Sequence, residues 1–205
     1  DLSAYGVIGN RRFEGGGGTR GAVGIVELLG RLNKPMLVSA RQTIRRFAAD
    51  ENIGEIVMIV DSPGGTSAGC HDLYLAVSEA AKVKRVTAVV EDLAASAAYY
   101  AICGASEIVV NTTAHVGSIG VYIVLMDDSR MLERMGIDVI VVKSGVGKGT
   151  GIEGAKITAE QLAQIQSVVD SLARHFVAAV ARGRRMKLER VQGVADGRVL
   201  IGAQA

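Results

Sequence analysis

The chain has 205 residues, enough for one well-buried domain over 1–205, and no proline-rich linker or break in composition divides it. Hydrophobic residues make up 49% and aromatics 4%, with no Trp, so Val, Ile, Leu and Ala must build the core, as suits parallel strands covered by helices. A net charge of +2 from 23 basic and 21 acidic residues argues against a global field for nucleic acid or an anionic membrane.

The first segment, 1–21, is expected to be flexible. It opens Asp1-Leu2-Ser3-Ala4-Tyr5, with no basic region before an apolar core, so no signal peptide is read there. It contains Gly15 to Gly18, four glycines that cannot hold regular structure cheaply. No Lys-Ser/Thr pair follows to make that loop a phosphate cradle.

Residues 22–28 read as a strand, and Ser39-Ala40-Arg41-Gln42 has capping-box spacing for a helix through about residue 49. The unbroken apolar run 56–60 suits a strand buried on both faces, ending at Asp61-Ser62-Pro63-Gly64-Gly65. A helix over 68–82 and a second buried strand over 86–90 follow. The rhythm continues with a small-residue helix over 96–103, strands over 107–110 and 120–124, a helix around Met131 and a strand over 138–142. These imply an α/β fold, mainly parallel, with right-handed crossovers.

The last long helix starts at the capping box Thr158-Ala159-Glu160-Gln161 and runs to Gly183. Leu162, Ile165, Val169, Leu172, Phe176 and Val180 follow at helical spacing and are expected in the core. The basic run Arg182, Arg184, Arg185 and Lys187 reads as a solvated face at that helix end. No closing element is evident before Ala205, and native sequence is expected to continue past it. The longest stretch free of charged residues, 108–126, is interrupted by polar groups such as Asn111, Thr112, His115 and Ser118, and is not a membrane span. Cys70 and Cys103 lack metal-ligand spacing and read as buried free thiols.

Two segments carry chemistry. The turn Asp61 to Gly65 can leave amides pointing into a cleft, half of an oxyanion hole, although Pro-Gly-Gly turns are also common in structural roles. In Asp92-Leu93-Ala94-Ala95-Ser96-Ala97-Ala98-Tyr99-Tyr100 a serine stands between alanines where a strand passes into a helix. It works mechanically like a nucleophile elbow, with the Ala97 amide beside a developing oxyanion. Taken alone, Ser96 reads more readily as the N-cap of an alanine-rich packed helix than as a nucleophile.

A nucleophilic serine needs a base. His71 follows the glycine turn, His115 falls in a turn and His175 lies midway along the last helix, and none has an Asp at a diagnostic position. Lysine serves as base where an apolar pocket lowers its pKa from about 10.4 towards 7 or 8, a differential of roughly 3 to 5 kcal/mol. Composition does not choose among the lysines.

In that order and spacing, Asp61 to Gly65, Asp92 to Tyr100, Val116-Gly117-Ser118-Ile119-Gly120-Val121 and Lys143-Ser144-Gly145-Val146-Gly147-Lys148 resemble the motif series of the signal peptide peptidase A (SppA) family. The resemblance covers roughly residues 25–205. The spelling around Ser96, with alanines where many bacterial members have Gly-Gly, is similar to phage relatives that act as capsid-assembly proteases.

The resemblance implies a ClpP/crotonase-like fold and a serine peptidase with Ser96 as nucleophile, Lys148 as base and Ser118 orienting the lysine. It also implies an oxyanion hole from the Gly65 and Ala97 amides, substrate contacts at Gly64 and Thr66, and no metal or cofactor. Where related proteins of the ClpP type carry a catalytic histidine, this chain has Ser118-Ile119-Gly120-Val121, which favours the Ser-Lys pair. Gly147 and Gly149 flank Lys148 where the family often has an aromatic or His and an Asp.

The implied partners are extended peptide substrates and further copies of the chain in a ring, with Ser96 and Lys148 meeting across a subunit boundary as one arrangement. The implied location is the cytoplasm, that of the host for a phage protein, or a membrane where an N-terminal anchor precedes the domain. Two rival functions share these residues: a crotonase-like acyl-CoA enzyme, in which Ser96 is dispensable, and a catalytically degenerate assembly module.

Overall fold

The computed structural model describes residues 12–14 and 21–205; the expected glycine loop at Gly15 to Gly18 and most of the 1–21 segment lie outside the described residues. The described residues form two compact units, one of those up to residue 120 together with 176–205, the other of residues 121–175.

The first unit holds the sheet. Its strands are β1 (Arg12–Glu14), β2 (Ala22–Leu29), β3 (Ile53–Ser62), β4 (Arg85–Ala95), β5 (Glu107–Val110), β6 (His115–Gly117) and β7 (Val199–Ile201). The order is β1-β2-β3-β4-β6-β7, with β5 also paired to β4. Pairing is parallel except for β1 with β2 and β6 with β7. The architecture is thus α/β with a mostly parallel sheet and flanking helices, as the strand-helix rhythm predicts.

Apolar residues at every second position of neighbouring strands face one helical layer. Val26 and Leu28 of β2, Ile56, Met58 and Val60 of β3, and Val86, Ala88 and Val90 of β4 are buried in one cluster with side chains of α1 (Lys34–Ala49) and α2 (Cys70–Val83). Helix α1 contributes Leu37, Ile44 and Phe47, and α2 contributes Leu73 and Val77. The Phe47 ring occupies the space over Gly24, where a Cβ would lie 2.5 Å from it. Burying such side chains at about 25 cal/mol per Å² is the main stabilising term of this layer.

Helix α1 starts earlier than the Ser39 spelling predicts. Asn33 is its N-cap, its side chain accepting a hydrogen bond from the Met36 amide, and Pro35 sits in the first turn where its missing N–H costs nothing. His115 likewise lies in a strand, β6, not in a turn.

Strand β4 is long because two short strands share one of its edges. Residues 87–90 pair with β5, residues 93–95 with β6, and a turn at Asn111–Ala114 joins the two. Beyond β4 comes α3 (Ala97–Ile102), against which the end of α5 (Ala159–Gly183) packs. The Tyr100 and Phe176 rings stack 4.5 Å apart, and a Cβ on Gly183 would lie 2.0 Å from the Cys103 carbonyl oxygen. The short α6 (Leu188–Gln192) then leads to β7, which closes the sheet antiparallel to β6.

The second unit contains α4 (Ser129–Arg134) and the first part of α5, joined by loops. The capping box forms as its spelling predicts: Thr158 Oγ1 accepts from the Gln161 amide at 3.2 Å, and Gln161 Oε1 accepts from the Thr158 amide at 3.0 Å. Asp127 accepts from the Ser129 hydroxyl and from the Ile157 and Ser129 amides, and these bonds to its charged form hold its carboxyl below the usual range.

The expected strands over 120–124 and 138–142 do not form. Both runs are irregular, and Tyr122, Val124, Ile140 and Val142 are all exposed. A strand needs a neighbour for its amides and carbonyls, and neither run has one among the described residues. The α5 stripe is corrected too. Phe176 and Val180 are core, whereas Leu162 is 50% exposed and Ile165, Val169 and Leu172 are only partly covered.

Candidate active site

The parallel register brings β3 and β4 to the same level at their C-terminal ends, where the Asp61 to Gly65 turn and Ser96 meet. After an irregularity in the ladder, Ser62 stands opposite Ala94. Two residues further along each chain are Gly64 and Ser96. The N–H of Gly64 donates to Ser62 Oγ at 3.1 Å, and a Cβ on Gly64 would lie 2.6 Å from the Ala95 oxygen, 2.8 Å from the Ala97 nitrogen and 2.9 Å from Ser96 Cβ. Only glycine allows this approach, at φ 89°.

Ser96 is the N-cap residue of α3, with φ 53° and ψ −123°. For a residue with a side chain this conformation costs roughly 1 to 3 kcal/mol and persists only where its surroundings enforce it. Here they do: the Ser96 amide donates to the Gly117 carbonyl at 2.9 Å, its carbonyl accepts from Tyr100, and Ala94, Ala95, Ala97 and Ala98 around it are buried. The result is a sharp strand-to-helix corner with a half-buried serine at its tip. No side-chain cap bond forms, so the hydroxyl is not spent as an N-cap.

The expected oxyanion donors, the Gly65 and Ala97 amides, directly follow Gly64 and Ser96 in the chain. Neither the Gly65 nor the Ala97 amide donates to a described residue. The Leu32 amide donates to the Gly64 oxygen, and Thr66 donates to the Leu32 oxygen. Successive amides of an extended chain point to opposite edges, so the Gly65 N–H faces away from Leu32. Thr66 Oγ1 accepts from the Ala68 amide, which turns the chain towards α2.

Ser118 also has a positive φ, 50°, and its amide donates to the Arg198 carbonyl at 2.8 Å. The Gly197 amide donates to the Ile119 carbonyl, so the C-terminal segment 196–198 buttresses the 117–119 corner. Asp196 and Arg198 form an ion pair there, and the guanidinium holds the Asp196 carboxyl down at about 2. Lys148 belongs to the other compact unit, on an exposed turn in which its amide donates to the Gly145 carbonyl.

Below α3 lies a compact polar and aromatic cluster. Cys70 Sγ donates to the Ala97 carbonyl at 3.2 Å, Cys103 Sγ donates to the Tyr100 carbonyl at 3.0 Å, and His71 Nδ1 is 2.8 Å from Tyr100 Oη. Burial pushes the Cys70 thiol up to about 12 and raises Cys103 as well, so both are inert thiols. His71 is thus a packing partner of Tyr100, while His115 and His175 are exposed. Among the described residues no group of three or more His, Cys, Asp or Glu side chains is placed to hold a metal ion. No described helix is long and apolar enough to cross a membrane.

Two contributors were not legible beforehand. Ser62 spells only part of a turn motif, and one of its two hydrogen bonds goes to a loop 32 residues away. Segment 196–198 carries no motif on its own.

Comparisons with known proteins give the family of the chain. The model of peptidase family S49 matches residues 78–205. A putative protease of Synechocystis sp. is 28% identical over 190 residues, covering 91% of this chain and 67% of its own length. A putative signal peptide peptidase SppA of Enterococcus faecium is 32% identical over 166 residues, covering 79% of this chain and 47% of its own. Capsid assembly protease C of Escherichia phage lambda is 28% identical over 138 residues, 67% of this chain and 31% of its own. The chain therefore spans from about a third to two thirds of these relatives' lengths. Because the family match covers more than half of the chain and includes the Ser96 corner, the chain belongs to peptidase family S49.

Proposed function

We propose that this chain is a serine endopeptidase domain of ClpP/crotonase-like fold, with Ser96 as nucleophile and Lys148 as general base. The observation that carries this reading is the Ser96 corner. A strained, half-buried serine with an uncommitted hydroxyl stands within van der Waals reach of a glycine turn, beside two amides that donate to no described residue.

In the proposed reaction Ser96 Oγ attacks the peptide carbonyl carbon as its proton passes to the Lys148 amine. The carbonyl oxygen takes the negative charge and is held by the Gly65 and Ala97 N–H groups. The C–N bond then breaks, the proton goes to the leaving amine, and water activated by the same lysine hydrolyses the ester. Ser118 orients the lysine, and Gly64 and Thr66 border the substrate. Extended, flexible peptides suit a site at strand ends, because they bind by adding to a sheet. Signal-peptide remnants and phage capsid or scaffold proteins are the two substrate classes that the relatives' names suggest.

We also propose that the chain works as a homo-oligomer, a ring with Lys148 reaching Ser96 of a neighbouring copy as one arrangement. The support is the second unit, where Tyr122, Val124, Met126, Ile140 and Val142 are each more than 70% exposed. So many large apolar side chains in two short runs mark an interaction surface.

Covalent labelling with a fluorophosphonate probe, read by intact mass and peptide mapping, tests the mechanism. The assembled parent is expected to gain one adduct on Ser96, with none in Ser96→Ala and a rate at least ~100-fold lower in Lys148→Ala near neutral pH. An assembled parent that takes no label overturns the reading in favour of the acyl-CoA or non-catalytic alternatives.

A further inference from the structure

We propose that Ser62 is a positioning residue for the oxyanion hole, selecting which glycine amide of the turn is offered to substrate. The inference rests on the assignment of the Gly65 and Ala97 amides as oxyanion donors.

Ser62 is fully buried, with a hydroxyl that uses both of its capacities. It donates to the Gly30 carbonyl at 2.6 Å and accepts from the Gly64 amide at 3.1 Å. The turn has two adjacent glycine amides beside Ser96, and without a partner either could swing towards the substrate oxygen. Ser62 takes the first. The Gly64 carbonyl is fixed in turn by the Leu32 amide at 2.8 Å, and the Thr66 amide is fixed by the Leu32 carbonyl at 3.1 Å. Only the Gly65 amide is left over, on the edge opposite Leu32.

The bond to Gly30 does a second job. It ties the loop after β2 to the turn after β3, alongside the bond from the Gly30 amide to the Asp61 carbonyl at 2.8 Å. The same serine is paired through the ladder with Ala94, two residues before the nucleophile. A short hydroxyl is the only ordinary side chain that donates and accepts within this space. Alanine would leave the buried Gly64 N–H and the Gly30 oxygen without that partner, which frees the Pro63 to Gly64 peptide to rotate and lets its N–H compete with the Gly65 amide for the substrate oxygen.

The test compares the parent with Ser62→Ala, Ser62→Cys and Ser62→Thr in the full chain. The probes are an N-acetyl-alanyl p-nitrophenyl ester and the matched thionoester, whose sulfur is a poor acceptor for amide donors. Because removing a whole oxyanion donor costs roughly 100- to 1000-fold, misplacing one is expected to lower kcat on the ester by about 10- to 100-fold in Ser62→Ala, with KM within about twofold. The thionoester rate should fall far less, so the ester-to-thionoester ratio collapses, and Ser62→Thr should recover part of it. Ser62→Cys keeps the shape with a weaker acceptor and should behave like Ser62→Ala, which keeps the question answerable if the alanine variant does not fold.

Equal losses on both probes, or an ester rate within twofold of the parent in the alanine and cysteine variants, overturn the proposal. A parent that hydrolyses the ester no faster than Ser96→Ala overturns the serine peptidase reading itself. A labelled, active parent with indifferent Ser62 variants overturns only the role of Ser62.

Discussion

Gly64 is where the glycine turn and the nucleophile corner exclude one another's atoms, and this makes it the sharpest single-residue probe of the site. A methyl group there would stand 2.6 Å from the Ala95 oxygen at a backbone φ of 89°. Strain and overpacking add, so Gly64→Ala is expected to cost about 3 kcal/mol or more in urea denaturation and to suppress labelling of Ser96. Gly30→Ala is the control. Its φ of 65° is also positive, but nothing lies within 4 Å of the added carbon, so only the conformational cost of about 1 to 2 kcal/mol applies. Equal losses in the two variants would show that close approach at Gly64 contributes nothing. At this scale the sequence shows Ser96 and the glycine turn as two separate signals, each with a bland structural reading. Their contact is visible only once β3 and β4 are in register. Ser62 was illegible for the same reason, since its acceptor, Gly30, lies on another strand's loop.

The elements that sequence placed well are those whose signal is local. Buried apolar runs gave β3 and β4, and a reciprocal pair of side chains gave the start of α5. Strands β6 and β7 have three residues each and pair across a separation as long as His115 to Ile201, so no local pattern announces them. The start of α1 was misplaced because Ser39 and Gln42 have capping-box spacing inside a helix already capped by Asn33. The two candidate caps make opposite predictions. Asn33→Ala should destabilise the protein by about 1 kcal/mol, since the Met36 amide loses its acceptor, while Ser39→Ala, on an exposed turn of the helix, should change stability by less than about 0.5 kcal/mol. Matched urea titrations of both variants measure the difference, and a larger loss from Ser39→Ala would reverse the assignment.

At the scale of the whole molecule, the two expected strands that did not form and the exposed apolar runs are one observation. Residues 120–124 and 138–142 have the composition of buried strands, yet among the described residues they find no sheet edge, and Tyr122, Val124, Ile140 and Val142 stay exposed. Among the described residues a single chain does not satisfy that composition, which is the support for the proposed assembly. If further copies supply the missing cover, Val142→Asp and Ile140→Asp, at positions 96% and 84% exposed in the single chain, should leave the stability of the first unit unchanged. A monomer surface tolerates such changes within about 0.5 kcal/mol, whereas a carboxylate buried at an interface without a partner costs several kcal/mol. Sedimentation velocity is expected to show the parent at several times the monomer mass and both variants shifted towards the monomer. Because Lys148 lies on an exposed turn in the same unit, labelling of Ser96 by the fluorophosphonate should fall in parallel with assembly, and should fall for the parent too on dilution. A monomeric parent that labels at full rate at every concentration would place the dyad within one chain and leave these apolar runs to some other partner.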